Sequence, residues 1–114
     1  MKTAISVLTI AGALLFTGQA FADPIEGLWK RPNGILVKFS ACGGGFCATA
    51  ASGPNAGGSA GKLKATGSGK YSGSLTDLEN KKTYSGSGSI SGNTLRVSGC
   101  VLGFICKSEN WSRQ

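Results

Sequence analysis

The sequence has no histidine among its 114 residues and only five acidic residues. Without histidine there is no Ser-His-Asp triad and no Cys-His pair, so hydrolases that rely on either are excluded. The carboxylates are scattered over the start of the predicted domain, one turn and one strand position. A glycosidase instead needs two carboxylates that face each other across a cleft. We therefore predict a protein that is not an enzyme and that holds no cofactor.

Long apolar runs are also scarce. The longest extends from residue 4 to residue 16, which is 13 residues and fewer than the ~20 that span a bilayer. It follows a lysine at position 2 and precedes an Ala-Phe-Ala cleavage sequence that ends at Ala22. No cysteine lies near this point, so a lipid anchor is not expected. We predict a signal peptide over residues 1–22 and a single exported domain over residues 23–114 that does not span a membrane.

The predicted domain has a modest excess of basic residues. Removal of Lys2 from the 12 basic residues leaves 11 against 5 acidic ones, a net charge of +6. This charge favours solubility, and the alternative is a weak electrostatic contact with anionic envelope components. Nucleic acid is not an expected partner, because export separates the protein from it. An electrostatic contact should fade with salt, and binding that persists in molar salt would indicate an apolar surface.

Glycine is abundant, with 19 residues, and its spread argues against helices. Short segments that alternate apolar and polar residues between turns are typical of an all-β sandwich or barrel. About eight strands would fit the available length, and closure would remove exposed sheet edges. We predict a small up-and-down antiparallel β-barrel with strands at 27–31, 35–42, 47–51, 62–66, 70–76, 82–90, 94–100 and 106–113.

The four cysteines form two close pairs in the sequence. In an eight-stranded meander the two loops that hold them lie at opposite ends, too far apart for a disulfide to join them. We therefore predict local disulfides, Cys42 with Cys47 and Cys100 with Cys106. Zinc is disfavoured, because zinc pairs usually have shorter spacings and oxidation competes with thiol ligands. No metal site is predicted.

The first and last predicted strands carry Gly27-Leu28-Trp29 and Arg113. This combination resembles lipocalin-like (calycin) barrels, in which a first-strand tryptophan closes one barrel end beneath a last-strand arginine. The resemblance implies that the Arg113 guanidinium lies within about 6 Å of the Trp29 indole, a cation–π contact of about 1 kcal/mol. We assign structural roles to Trp29, Arg113 and Trp111.

A second resemblance covers residues 24–113. It rests on four segments, namely Ile25 to Trp29, Cys42 to Cys47, Lys82 to Gly86, and Gly99 to Arg113. These segments are similar to those of the exported bacterial domain-of-unknown-function family 2147. The resemblance implies a small barrel that is periplasmic or secreted, and it brings no established activity or catalytic residues. The chain departs from the family at residues 52–61, where a longer and more apolar connection is expected.

The inner face of the predicted barrel supplies candidate ligand-binding residues, Tyr71, Tyr84 and Glu109. If the tyrosines point inward, strand alternation turns five neighbours inward with them, namely Gly73, Leu75, Gly86, Gly88 and Ile90. Inward glycines either let the strands coil tightly, the favoured interpretation, or leave volume for a ligand.

Three further side chains have predicted positions. If Trp111 packs inward, Glu109 does so too, and burial requires it to pair with Arg113, Lys107 or a ligand. Pairing within the protein is favoured. Phe46 and Phe104, one in each cysteine loop, are expected to plug the barrel mouths.

Two functions are consistent with these patterns. The first is a binding module for a small apolar or amphiphilic molecule, and the second is a structural or envelope-interaction protein with a packed barrel and a basic surface. A cavity near the ~300 Å³ at which ligand pockets begin would favour the first. A filled interior would favour the second.

Overall fold

The computed structural model describes residues 23–114, so the predicted signal peptide lies outside the described residues. Within this range the chain contains strands and turns but no helix. Among these residues there is accordingly no helix that could span a membrane. The eight strands are β1 (Gly27–Lys30), β2 (Leu36–Cys42), β3 (Gly45–Ala50), β4 (Ser59–Gly67), β5 (Lys70–Asp77), β6 (Lys82–Ser91), β7 (Thr94–Val101) and β8 (Ile105–Arg113).

Each strand pairs in antiparallel fashion with the next, and β8 returns to β1 to close the barrel. The closing contact is short, since it joins only Trp29 with Arg113 and Lys30 with Ser112. The structure confirms the predicted fold class and strand count. β3 begins two residues earlier than predicted because Gly43 and Gly44, both at positive φ, form a tight two-residue hairpin turn.

The meander places its connections alternately at two barrel ends. One end, which we call the closed end, is crossed by residues 23–26 and has the turns at residues 43–44, 68–69 and 92–93. The open end has the longer connections, at residues 31–35, 51–58, 78–81 and 102–104.

A tryptophan–arginine stack organises the closed end. The guanidinium of Arg113 lies 4.1 Å from the centre of the Trp29 indole, which confirms the predicted contact. The Trp29 Nε1 donates a hydrogen bond to the carbonyl of Ile25 at 2.8 Å, and Arg113 donates to the carbonyls of Glu26 and Pro24. The entering chain is therefore fastened across this end by groups from both β1 and β8.

The barrel interior is largely filled by side chains. The largest of those with essentially no exposure are Trp29, Phe39, Ile25, Leu63 and Leu95. A Cβ added at Gly86 would lie 2.9 Å from Leu75, and one at Gly99 would lie 3.0 Å from Tyr84. Side chains of neighbouring strands thus occupy the space beside these inward glycines, as the tight-coiling interpretation predicts.

Gly73 has the inward strand parity that was expected, since it pairs with Leu63 and Gly86, but no side chain would fit there. Its backbone is exposed, and a Cβ there would lie 2.1 Å from the backbone oxygen of Lys62 and 3.0 Å from the Cα of Leu63. The close approach of β4 and β5 leaves room for a hydrogen only. Glycine at this position serves strand contact rather than interior volume.

The cysteines pair locally, as predicted. Cys42 bonds to Cys47 with Cα atoms 5.8 Å apart, and Cys100 bonds to Cys106 with Cα atoms 4.0 Å apart. The first disulfide flanks the closed-end turn at residues 43–44, and the second flanks the open-end loop at residues 102–104. The eight-strand geometry that separates the two loops accounts for this pairing.

The two loop phenylalanines behave differently. Phe46 packs against the core at the closed end, with its ring 6.0 Å from that of Tyr71. Phe104 is 76% exposed, so the prediction that it plugs a barrel mouth is wrong. The β7–β8 pairing continues to Val101 and Ile105, one residue pair beyond the last β6–β7 pair, and this carries the loop past the rim.

Candidate functional site

The open end contains a cavity of about 80 Å³ that opens to solvent. Its lining has one group of apolar side chains and one group of polar side chains, most of which are charged. The apolar group is Val37, Ala60, Leu75, Tyr84, Val97 and Trp111, and the polar group is Arg31, Thr76, Asp77, Lys107 and Glu109, with Gly99 between them. This arrangement suits a molecule with one apolar and one polar part.

The size of the cavity limits what it can hold. A volume of about 80 Å³ is well below the ~300 Å³ at which pockets for whole drug-sized ligands begin. Packing of Leu75 and Tyr84 against the inward glycines accounts for the difference. The cavity can therefore admit part of a drug-sized molecule and not the whole of one.

The structure separates the three predicted ligand-binding residues. Tyr84 and Glu109 line the cavity. Tyr71 lies at the closed end, where it is buried and its hydroxyl donates to the carboxylate of Asp23. Burial and this hydrogen bond raise the pKa of Tyr71 above its usual range. Tyr71 is thus a component of the closed end, away from the cavity.

Glu109 forms its ion pair with Arg31. Its carboxylate accepts hydrogen bonds from Nε and Nη2 of Arg31, both at 3.1 Å. Glu109 is thus paired within the protein, as favoured above, but its ion-pair partner is neither of the two expected residues, Arg113 and Lys107. Arg113 lies at the opposite end of the barrel, stacked on Trp29, whereas Arg31 directly follows β1 beside the seam with β8.

Arg31 also links three parts of the open end. Its Nη1 donates to Glu79 in the β5–β6 connection at 2.9 Å, and its guanidinium carbon lies 5.8 Å from the ring centre of Trp111. Trp111 in turn donates from Nε1 to Glu109 at 2.8 Å. The first turn, the β5–β6 connection and β8 are therefore tied together around one wall of the cavity.

The turn that carries Glu79 has its own internal support. The Asp77 carboxylate accepts hydrogen bonds from the backbone of Glu79 and from the side chain of Asn80. Although burial raises the pKa of Asp77, these hydrogen bonds and the charge of Arg31 outweigh it, so the pKa lies below its usual value. Asp77 is thus ionised beside the cavity at neutral pH.

Comparison with known families places the chain in one of them. Residues 54–113 match the model of an uncharacterised protein family conserved in bacteria, domain-of-unknown-function family 2147. The chain belongs to this family. Comparison with curated proteins and with solved structures finds no match.

The part that matches family 2147 extends from the β3–β4 connection through β8. It contains Tyr84, Lys107, Glu109 and Trp111 of the cavity, whereas Arg31 lies before it. The resembling segments at 25–29 and 42–47 also precede the matched range. The matched strands therefore supply most of the apolar lining of the cavity, whereas Arg31 comes from outside them.

Within residues 23–114, no group of three or more histidine, cysteine, aspartate or glutamate residues could hold a metal ion. The four cysteines are bonded in pairs.

Ionisation of Glu109 predicts a pH dependence of stability. Burial raises its pKa, but hydrogen bonds from Arg31 and Trp111 outweigh this and hold it below the ordinary value of 4.5. The unfolded chain therefore binds this proton at a higher pH than the folded one. Glu109 stabilises the fold above about pH 4.5 and loses this effect as the pH falls through its folded pKa. Urea unfolding at pH 7 and pH 3 measures the loss.

A variant isolates this contribution. E109Q cannot ionise, so its free energy of unfolding should fall less between pH 7 and pH 3 than that of the unaltered protein. R31Q should reduce the same slope, because it removes the cation that lowers the pKa. Equal slopes in all three proteins would contradict an energetic role for the pair.

Proposed function

We propose that this protein is an exported, non-catalytic binding module that holds the apolar end of a small amphiphile in the open-end cavity. The observation that carries the proposal is the mixed lining, in which Val37, Leu75 and Val97 lie beside the charged Lys107 and Arg31. The two disulfides support export, because such bonds persist in oxidising compartments.

The polar part of the ligand should be anionic. Arg31 is already paired with Glu79 and Glu109, and the ionised Asp77 accepts hydrogen bonds from its own turn. The side chain of Lys107, in contrast, is exposed beside the cavity. An ammonium at this place favours a carboxylate or a similar anion next to the apolar wall. The small volume requires most of the ligand to stay outside, so the favoured ligands are short-chain amphiphiles.

Sodium octanoate is a suitable probe of this site. We expect titration of isotopically labelled protein to shift the backbone amide signals of Leu75, Val97 and Gly99. The signals of Gly44 and Tyr71 at the closed end should stay in place. Uniform shifts, or none at millimolar octanoate, would contradict the proposal.

Matched variants test the two parts of the lining. K107E should weaken octanoate binding roughly two- to fivefold, the range of an exposed ion pair. K38E, on the outer wall of β2, makes the same change in net charge and should leave the affinity unaltered. A60L fills the cavity from its lining and should abolish the shifts. Equal weakening by K107E and K38E would indicate a nonspecific charge effect.

The alternative function, an envelope-interaction protein with a packed barrel, is favoured by one observation. The inward Gly86 and Gly99 are covered by Leu75 and Tyr84, which leaves only the small open-end cavity. A protein of this kind would not bind octanoate, and it would bind anionic surfaces through its basic outer face. Loss of that binding in salt, with no cavity response, would support this alternative.

A further inference from the structure

The β7–β8 hairpin extends beyond the rim of the barrel. Its strands pair with each other as far as Val101 and Ile105, whereas β6 pairs with β7 only as far as Cys100. On the other side, β1 contacts β8 only near Arg113 and Ser112. Residues 101–105, which we call the apolar tip, therefore project without a strand on either side.

Exposed large apolar side chains are concentrated in this tip. Leu102 is 80% exposed, Phe104 is 76% exposed and Ile105 is 53% exposed. They are the only exposed large hydrophobic residues between residues 23 and 114. Single apolar residues scattered over a surface need no explanation, but a cluster at a projecting point marks an interaction site.

The tip is held in one shape. The disulfide between Cys100 and Cys106 joins its two strands at the base, and the Phe104 amide donates to the carbonyl of Val101. Leu102 has a φ of 55°, a left-handed conformation that is unfavourable for leucine. A polar residue or glycine would fit this turn better, so the chain keeps an apolar side chain at the point where the backbone least favours it.

The charges around the tip indicate its partner. Lys107 follows the disulfide directly and is exposed. Lys81, at the end of the neighbouring open-end connection, and Lys82, the first residue of β6, are exposed as well. The nearby carboxylates of Glu79 and Glu109 are paired with Arg31. That of Asp77, which lies opposite Lys82 in the β5–β6 pairing, accepts hydrogen bonds from its own turn. Exposed cations beside an apolar projection complement an anionic lipid surface, where apolar side chains enter the interface and lysines face the headgroups.

A second copy of the chain fits the tip less well. Three side chains offer on the order of a few hundred Å² of apolar surface, and a stable protein partner buries about 800 Å² on each side. A bilayer needs no such area, because it accommodates a small projection at any point.

We propose that the apolar tip docks this protein on anionic lipid bilayers by partial insertion of Leu102, Phe104 and Ile105. Docking would turn the open end toward the membrane. The proposal goes beyond the function in the preceding subsection and does not depend on it, because none of these three side chains lines the cavity.

Sedimentation with lipid vesicles tests the proposal. The probes are vesicles of phosphatidylethanolamine and phosphatidylglycerol, with phosphatidylcholine vesicles for comparison. We expect binding to the anionic vesicles that weakens between 0.1 M and 1 M salt but persists, because salt screens the lysines and leaves the apolar contact. Binding that vanishes in 1 M salt, or an equal affinity for both vesicles, would overturn the proposal.

Variants of an exposed tip should fold normally, which circular dichroism can verify. F104S should lower the partition coefficient about tenfold or more, whereas F104L should retain most of the binding. S87F adds an aromatic ring elsewhere, on the exposed outer wall of β6. The double variant S87F/F104S should therefore bind vesicles as weakly as F104S alone. Unaltered partition of F104S would overturn the proposal.

A fluorescent variant locates the tip in the bilayer. F104W should show a blue shift on vesicle binding and quenching by lipids brominated in the acyl chain, beyond the signal of the buried Trp29 and Trp111. Absence of quenching in the vesicle-bound protein would overturn insertion. A dimer in solution that F104S dissolves, without vesicle binding, would instead assign the tip to a second copy of the chain.

Discussion

Replacement of Trp29 with alanine is expected to lower the free energy of unfolding by about 3–5 kcal/mol. The indole is fully buried, so its removal leaves a cavity in the core. The change also takes away the donor to the Ile25 carbonyl and the surface on which Arg113 stacks. Since the free energy of unfolding of a small domain is about 5–15 kcal/mol in total, urea unfolding should show a large shift of the midpoint.

Two other variants distinguish the reasons for this loss. F104A removes an aromatic ring from an exposed position and should change the free energy of unfolding by no more than about 0.5 kcal/mol. R113K retains the charge but loses the planar stacking on Trp29 and the geometry of its hydrogen bonds to the entering chain, so an intermediate loss is expected. Equal losses in W29A and F104A would show that the closed end does not organise the barrel.

The strands could be predicted because their side chains alternate along the chain. In β2, Val37 and Phe39 are buried and Lys38 and Ser40 are exposed, as the sequence pattern indicates. The start of β4 was missed, because Ser59 to Gly61 have no such alternation and lie in a stretch rich in glycine and serine. That segment becomes a strand through its pairing with β3, across a shift in register.

The candidate site was predictable only in part. Strand parity placed Tyr84 and Glu109 on the inner face, because their side chains alternate with exposed neighbours. It did not indicate at which end of the barrel each residue lies, and Tyr71 shares that parity at the other end. Arg31 was missed because its contact with Glu109 joins residues 78 positions apart across the closing seam, whose register no local pattern shows.

The exposed tip shows another limit of sequence patterns. Alternation tells which face of a strand a residue occupies, but it does not tell whether another strand covers that face. Phe104 was assigned to a barrel mouth from its apolar character and its position in a cysteine loop. The lengths of the flanking strands decide the matter, since β7 and β8 continue to pair where β6 has stopped.

Replacement of Gly73 with alanine should destabilise the protein by about 1–3 kcal/mol, the usual cost of forcing atoms into a packed contact. The added Cβ would lie 2.1 Å from the backbone oxygen of Lys62, and backbone cannot rotate away as a flexible side chain can. Separation of β4 from β5 would also move Leu63, which is fully buried in the core. Urea unfolding measures the effect directly.

The flanking serines provide the control for this prediction. S72A and S74A introduce alanine at exposed positions of the same strand and should change the free energy of unfolding by no more than about 0.5 kcal/mol. At an unstrained site, glycine-to-alanine replacement stabilises a protein by about 0.4–1 kcal/mol, because it reduces the entropy of the unfolded chain. A gain of this size in G73A would therefore contradict the close approach of β4 and β5, while a loss would show that backbone contact outweighs the entropic gain.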